Sequence, residues 1–396
     1  MTALKGIRVL DLGTFIAGPH CATILGEFGA EVIKVEPPKT GDSLRRLGTN
    51  TDCGDTLVWL SEARNKKCVT LNLGSERGRE LLRQLAAKCD IIVENFRPGT
   101  LEKWGLGYNE LKKLNRGAIL VRISAYGQDG PMRTQPGFAR IAHAFSGLTY
   151  LAGLPGGVPV VPGSTSLADY MSGMYGAIGA LVALRAREVT GEGQCVDLAL
   201  YESVFRVLDE IAPAYQRFGY VRERMGADTV NVCPHSHYET SDGKWVAIAC
   251  TSDAMFARLA EVMQQPELAS SERYGPQAQR LAARDEVNAV VAEWVASLDL
   301  ETVLKRCTDG GVPSSLIYSI ADIFEDPQYR ARGNIKMADS RIGALAVPDV
   351  VPRLSDTPGE IRWLGEGLGS ANQDVFGGLL GLREEEIARM RKTGVI

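Results

Sequence analysis

Gly6-Ile7-Arg8-Val9-Leu10-Asp11-Leu12 opens the stretch that decides the fold, and Glu31-Val32-Ile33-Lys34-Val35-Glu36-Pro37 closes it. The run 7–12 is short and apolar, a strand pattern. Residues 21–28 carry helical spacing, Gly29-Ala30 ends the helix, and 31–36 reads as the next strand. Outward from there the alternation continues, with a helix expected around 76–88 and strands at 90–94 and 118–123. Strands alternating with helices predict an α/β fold, a parallel sheet covered by helices.

From about Asp228 the texture changes. Residues 238–249 read as two strands joined by the turn Ser241-Asp242-Gly243, and helical patterns follow through Lys305. A smaller α+β domain is expected there. The segment 330–396 holds Pro348, Pro352 and Pro358 and ends in a helix near 384–392. No internal repeat or low-complexity tract interrupts the chain.

Composition narrows the class. Of 396 residues, 45% are hydrophobic and 23% charged, which is ordinary for a soluble globular protein. The net charge of −4 offers no basic field, so nucleic acid is not an expected partner. The eight cysteines include no C-x-x-C pair and read as reduced thiols of a cytoplasmic protein. The N-terminus lacks a signal-peptide apolar core. The uncharged run 170–184 is shorter than a membrane span and rich in Gly and Ser, so a buried helix is expected and no membrane partner.

Several chemistries are weak on the residues alone. Gly13-Thr14-Phe15-Ile16-Ala17-Gly18-Pro19 is not G-x-G-x-x-G, and Pro19 removes a backbone donor where a pyrophosphate would need one. Glu36 stands where a ribose-binding acid would, but a solvated strand end explains it equally well. His235-Ser236-His237 would place two imidazoles on one strand face, without the further ligands a metal site needs, so no metal is expected. No G-x-S-x-G elbow occurs.

The stretch 163–177, GSTSLADYMSGMYGA, carries more. A helix starting near Asp169 would line up Gly173, Gly176 and Ala180, small residues that let another backbone approach at about 1 kcal/mol of helix propensity per Gly. Such a helix belongs in the interior. Asp169 is then either a helix N-cap or a carboxylate kept ionised by the helix dipole and able to attack an acyl group.

Taken together, Gly6–Leu12, Ala17-Gly18-Pro19, Gly29–Pro37, Asn65-Lys66-Lys67, Val93-Glu94-Asn95-Phe96-Arg97-Pro98-Gly99, Tyr126–Pro131, Thr190–Gln194 and Glu384–Ala388 resemble, in order, the class III CoA-transferases typified by formyl-CoA and carnitine CoA-transferases. The resemblance implies a Rossmann-like large domain formed by both chain ends, a smaller α+β domain and an interlocked homodimer. Its boundaries here would be 1–205 for the first part of the large CoA-binding domain, 206–227 for a linker, 228–325 for the small domain, and 326–396 for a linker and the returning C-terminal part. It also implies Asp169 as the catalytic aspartate. CoA contacts carry over to Ile16, Ala17, Leu71, Asn72, Asn95, Phe96, Arg97, Lys103 and Trp104. No tightly bound cofactor is implied; the coenzyme A thioester is itself a substrate.

The departures matter too. Formyl-CoA transferase has Glu where this chain has Ala139 and Gln where it has Ile16, which argues against formate or oxalate as substrate. Related α-methylacyl-CoA racemases have a His-Asp pair where this chain has Phe138-Ala139, so racemisation lacks its bases. The stretches 234–238 and 242–253 are similar to the branch that takes CoA from succinyl-CoA to dicarboxylates such as malate, citramalate or itaconate. A second carboxylate needs a cation or several donors, for which Arg45, Arg46, Arg140, His143, His235 and His237 are the candidates. A racemase-like isomerase and a CoA-binding subunit of a heteromeric transferase are the alternative readings.

Overall fold

The computed structural model describes residues 2–396. Its centre is a sheet of β1 (Arg8–Asp11), β2 (Glu31–Glu36), β3 (Lys66–Thr70), β4 (Ile91–Glu94), β5 (Ile119–Ser124) and β6 (Cys195–Ala199). The order is β3-β2-β1-β4-β5-β6 and every pairing is parallel. Val9 lies opposite Val32 on one side and Ile91 on the other. The strand order therefore reverses direction between β1 and β4. In open parallel sheets, ligands bind outside the carboxyl ends of the strands at that reversal.

The pleat sorts the core. Leu10, Ile33, Ile92 and Leu120 face one side and pack with Leu81, Leu82 and Leu85 of the helix Glu76–Ala87. Val9, Val32, Ile91, Ile119 and Val121 face the other side, beside residues of the helices Ala17–Glu27 and Leu167–Thr190. Alternate residues on opposite faces, both apolar, are what a sheet covered on both sides requires.

The long helix Leu167–Thr190 lies close to its neighbours because of its glycines. A Cβ on Gly173 would stand 3.0 Å from the Ala17 carbonyl oxygen and 2.9 Å from the His20 ring. At Gly176 it would stand 3.0 Å from Ile123, and at Gly179 it would meet Val196 at 2.7 Å. The helix is also long and apolar enough to cross a membrane by length and composition. Its small-residue face, however, is buried against the first helix and the sheet.

Two compact units emerge. The first comprises the chain up to Thr149, Val161–Pro213 and Arg330–Ile396. Its C-terminal part includes the hairpin β10 (Ile335–Ser340) and β11 (Gly343–Pro348), numbered after three strands of the second unit, and returns to the sheet. There the Asn372 side chain accepts from the Thr70 amide at 2.9 Å, while Phe376, Ile387 and Ile396 enter the main core.

The second unit comprises Tyr150–Val160 and Ala214–Tyr329. It contains an antiparallel sheet of β7 (His235–Glu239), β8 (Trp245–Ala249) and β9 (Ser314–Leu316). Tyr238, Val246 and Ile248 pack there with Leu259, Val291 and Val303 of three helices. This division differs from the sequence expectation, most plainly at residues 150–160 and in the expected linker. Residues 150–160 join the second unit because Arg224 donates to the Tyr150 carbonyl at 2.7 Å and the Gly226 amide donates to that of Gly153 at 3.0 Å. Within the expected linker 206–227, the helix Ile211–Phe218 forms.

Candidate active site

The loop after β1 is held in place from beneath by buried charge. Asp11 accepts from the Gly13 amide at 3.0 Å and from Lys66 Nζ at 2.9 Å. Lys34 pairs with Asp42 at 2.8 Å and donates to the Gly13 carbonyl, while Asp42 Oδ1 accepts from the Phe15 amide at 3.0 Å. Burial alone would raise the Asp42 carboxyl, but the charge of Lys34 and the amides of Leu44 and Phe15 hold it below its ordinary value. These contacts keep Phe15 at φ 59°, a left-handed conformation that a bulky side chain adopts only when its surroundings impose it.

The loop after β4 is tied to the first. Asn95 accepts from the Thr14 amide and donates to the Thr14 carbonyl, both at 2.8 Å. Glu94 accepts from the Phe96 amide at 2.7 Å and from Arg122 at 2.6 Å. The Phe96 ring meets that of Trp104 edge-on, with centroids 5.2 Å apart.

Asp169 closes the site from the third side. It is the third residue of the helix Leu167–Thr190, so the N-cap assignment fails: the cap position belongs to Ser166, whose side chain makes no capping bond. The amide of Ala168 donates instead to His143 Nε2 at 2.9 Å. Asp169 is half-buried, and its carboxylate has no hydrogen bond or ion pair among the described residues. Burial pushes its carboxyl up to about 6. At neutral pH the group is still mostly ionised, and it is unpaired.

A cavity of about 270 Å³ lies at the carboxyl ends of β1, β4 and β5, lined by Thr14–Ala17, Asn95–Pro98, Ile123–Ala125, Arg133, Gln135–Phe138, Asp169 and Leu200. A second, of about 280 Å³, shares Phe15, Ile16, Phe138 and Asp169 and adds Leu47, Ala139, Arg140, His143, Val161 and Ser164–Ser166. Phe15 and Phe138 meet edge-on at 6.0 Å. Asp169 thus borders two chambers.

Of the residues named from the sequence, Ile16, Ala17, Asn95, Phe96, Arg97 and Asp169 line the first chamber. Trp104 reaches it through Phe96. Leu71 does not: it is fully buried in the core below the sheet's edge. Asn72 is exposed in the turn after β3, where its side chain accepts from the Gly74 amide, and Lys103 is exposed on the short helix Thr100–Lys103.

Among the acid-binding candidates, Arg140 and His143 line the second chamber. Arg45 is buried, paired with Glu36 at 2.7 Å and Asp55 at 2.9 Å, and stacked over Trp59. It is committed to the fold. This pairing also removes Glu36 as a ribose-binding acid, since the strand end is buried rather than solvated. Arg46 donates to the Thr40 carbonyl on the surface. His235 and His237 share one face of β7, opposite the buried Tyr238, in the second unit. Among the described residues no group of three His, Cys, Asp or Glu side chains is placed to hold a metal.

Among the lining residues that the sequence reading did not single out are Thr14, Phe15 and Arg133. Thr14 and Phe15 enter through the loop conformation. Arg133 sits in an exposed turn, with no hydrogen-bond or ion-pair partner for its side chain among the described residues, and no pattern in the sequence marks it.

Comparison with known proteins gives the family and the fold. The model of CoA-transferase family III matches residues 4–370. The succinyl-CoA–L-malate CoA-transferase alpha subunit of Chloroflexus aurantiacus is 55% identical over 395 residues, covering 99% of this chain and 92% of the relative. The beta subunit of the enzyme of the same name, from the same species, is 54% identical over 396 residues, covering 99% and 98%. Among solved structures, a CAIB/BAIF family protein from Brucella suis superposes with a TM-score of 0.84 at 32% identity, covering 96% of this chain and 99% of that one.

Proposed function

The chain belongs to CoA-transferase family III, and from that premise we propose that it moves CoA from succinyl-CoA to a short dicarboxylic acid, with Asp169 as the covalent nucleophile. The observation that carries this reading is a half-buried carboxylate facing two chambers, one of which also holds the cations Arg97 and Arg133, all three without a side-chain partner among the described residues. Those guanidiniums suit the phosphates of CoA, and the relatives at 54–55% identity act on succinyl-CoA and malate by name.

The chemistry balances without any resident cofactor. The Asp169 carboxylate attacks the donor thioester carbonyl; the C–S bond breaks, leaving CoA thiolate and a mixed anhydride. The thiolate attacks the aspartyl carbonyl, releases the donor acid and forms an aspartyl-CoA thioester. The acceptor carboxylate then displaces the thiolate to give a second anhydride. Attack of the thiolate on the acceptor's acyl carbon frees Asp169 and the new thioester. Each step exchanges one activated acyl bond for another. The helix start offers an oxyanion few free donors, because the amides of Ala168, Asp169 and Tyr170 already bond to His143 or the Ser166 carbonyl.

The test is a panel of mono- and dicarboxylic acids incubated with succinyl-CoA, with products identified by mass, alongside hydroxylamine trapping. New dicarboxyl thioesters and a hydroxamate at Asp169 support the reading. Full activity in Asp169→Ala would end it.

The same reading extends to assembly and location. The outer face of the Asp169 helix exposes Met174, Ile178, Leu181, Val182 and Val189, and a second copy covering it as a homodimer explains that face better than solvent. The alpha and beta names of the relatives favour a second possibility, a sister chain in place of the copy. Activity of the protein purified alone separates the two. All eight cysteines are free, in keeping with a reducing, cytoplasmic setting.

A further inference from the structure

We propose that His143 selects the acid: its Nδ1–H donates to the second carboxylate of a dicarboxylate held in the chamber that Asp169 shares with Arg140. The proposal rests on the transferase reading above and assigns the substrate-recognition role within it.

A backbone amide can only donate, so the 2.9 Å contact between the Ala168 amide and His143 Nε2 requires a lone pair on Nε2. A neutral imidazole with a free Nε2 carries its hydrogen on Nδ1. Burial, reinforced by the charge of Arg140, lowers the His143 pKa and keeps the ring in that neutral form.

The Nδ1 atom is buried and finds no hydrogen-bond partner among the described residues, on a side chain that is 99% buried, by its 1% exposure, and that lines the second chamber. Buried donors are almost always satisfied, so an unsatisfied one beside a nucleophile marks where a ligand oxygen belongs. Arg140 precedes His143 by three residues on the helix Ala139–Phe145 and therefore lies on the same face. Its guanidinium has no side-chain partner among the described residues. Ser164, held at φ 51°, and Thr165 add hydroxyls to the same wall. One cation, one fixed N–H and two hydroxyls form a carboxylate site. A monocarboxylic acid reacting at Asp169 would leave it unused.

The two ring nitrogens can be tested separately. In His143→Gln the side-chain amide oxygen can take the position of Nε2 and keep the Ala168 bond, while the Nδ1 donor is lost. In His143→Asn the amide nitrogen stands near the Nδ1 position, while the Nε2 acceptor is lost. With succinyl-CoA as donor, kcat/KM is measured for malate and for acetate as acceptors. The expected result is a fall of tenfold or more in the malate-to-acetate ratio for His143→Gln and for Arg140→Gln, and a smaller fall for His143→Asn. An unchanged ratio in His143→Gln overturns the proposal. If the wild type moves CoA to no dicarboxylate, the transferase reading falls first, and this inference with it.

Nitrogen NMR of wild-type protein labelled at its four histidines gives an answer independent of variant folding. His143 is expected with hydrogen on Nδ1 alone at pH 7, and its Nδ1–H resonance is expected to shift on adding succinate but not acetate. Hydrogen on Nε2 overturns the proposal.

Discussion

At the scale of single residues, Asp169 carries function at a cost in stability. Its folded pKa is raised to about 6 by burial, above the ordinary carboxylate value. The stability linked to it is therefore fully present below the unfolded pKa and is lost as pH rises through about 6. Replacing it with Asn should leave the melting temperature at pH 7 unchanged or higher, while transferase turnover drops by roughly a thousandfold or more. Calorimetry and a thioester-exchange assay on the same sample check both halves. Because the attacking group must be ionised, kcat/KM should also decline below about pH 6. Asp42 runs the opposite way. Its pKa is depressed, so its contribution is present at neutral pH and is lost as pH falls through the folded value. Asp42→Asn removes the closest ion-pair partner of buried Lys34, leaving Asp11 at 3.7 Å as its ion pair, and should cost about 3–5 kcal/mol in urea unfolding.

At the scale of elements, the position of the nucleophile depends on how close two helices come. Gly173 and Gly176 set that distance, since side-chain carbon at either would meet atoms at 3.0 Å or less. Gly173→Ala pushes against the Ala17 carbonyl and the His20 ring, and Gly176→Val pushes against Ile123 and Cys21. Each should destabilise by roughly 1–3 kcal/mol through overpacking. Gly173→Ala should lower kcat as well, because it lies one turn from Asp169 and opposite the loop that carries Ile16 and Ala17. Denaturant titration paired with steady-state kinetics distinguishes the two effects. The loops after β1 and β4 behave as one element, joined by the paired Asn95–Thr14 bonds.

For the whole molecule, the parallel order β3-β2-β1-β4-β5-β6 places the reversal between β1 and β4, and the first chamber opens at those strand ends. Assembly is the other property at this scale. If a second copy covers the outer face of the Asp169 helix, the double substitution Ile178→Glu, Val182→Glu should halve the mass found by light scattering. A wild-type mass equal to one chain refutes the dimer.

The α/β class, β1, β2, β4, the helix Glu76–Ala87 and the family were legible in the sequence, whereas β3 and the helix Leu57–Glu62 were not read from it. Period and order are local properties, and the motif series is long enough to be specific. Ile16, Ala17, Asn95, Phe96 and Arg97 came from the family resemblance, and the structure places them in the lining of the first chamber. The fate of each cation was not legible. Arg45 and Arg140 are the same side chain in sequence, but one is locked between Glu36, Asp55 and Trp59, while the other lines a chamber with no side-chain partner among the described residues. Nor could the sequence give the proton position on His143, which depends on an amide twenty-five residues away. Pattern along the chain fixes which elements form. Which charges are neutralised, and which are left free for a substrate, depends on neighbours distant in sequence that only the packed structure brings within bonding distance.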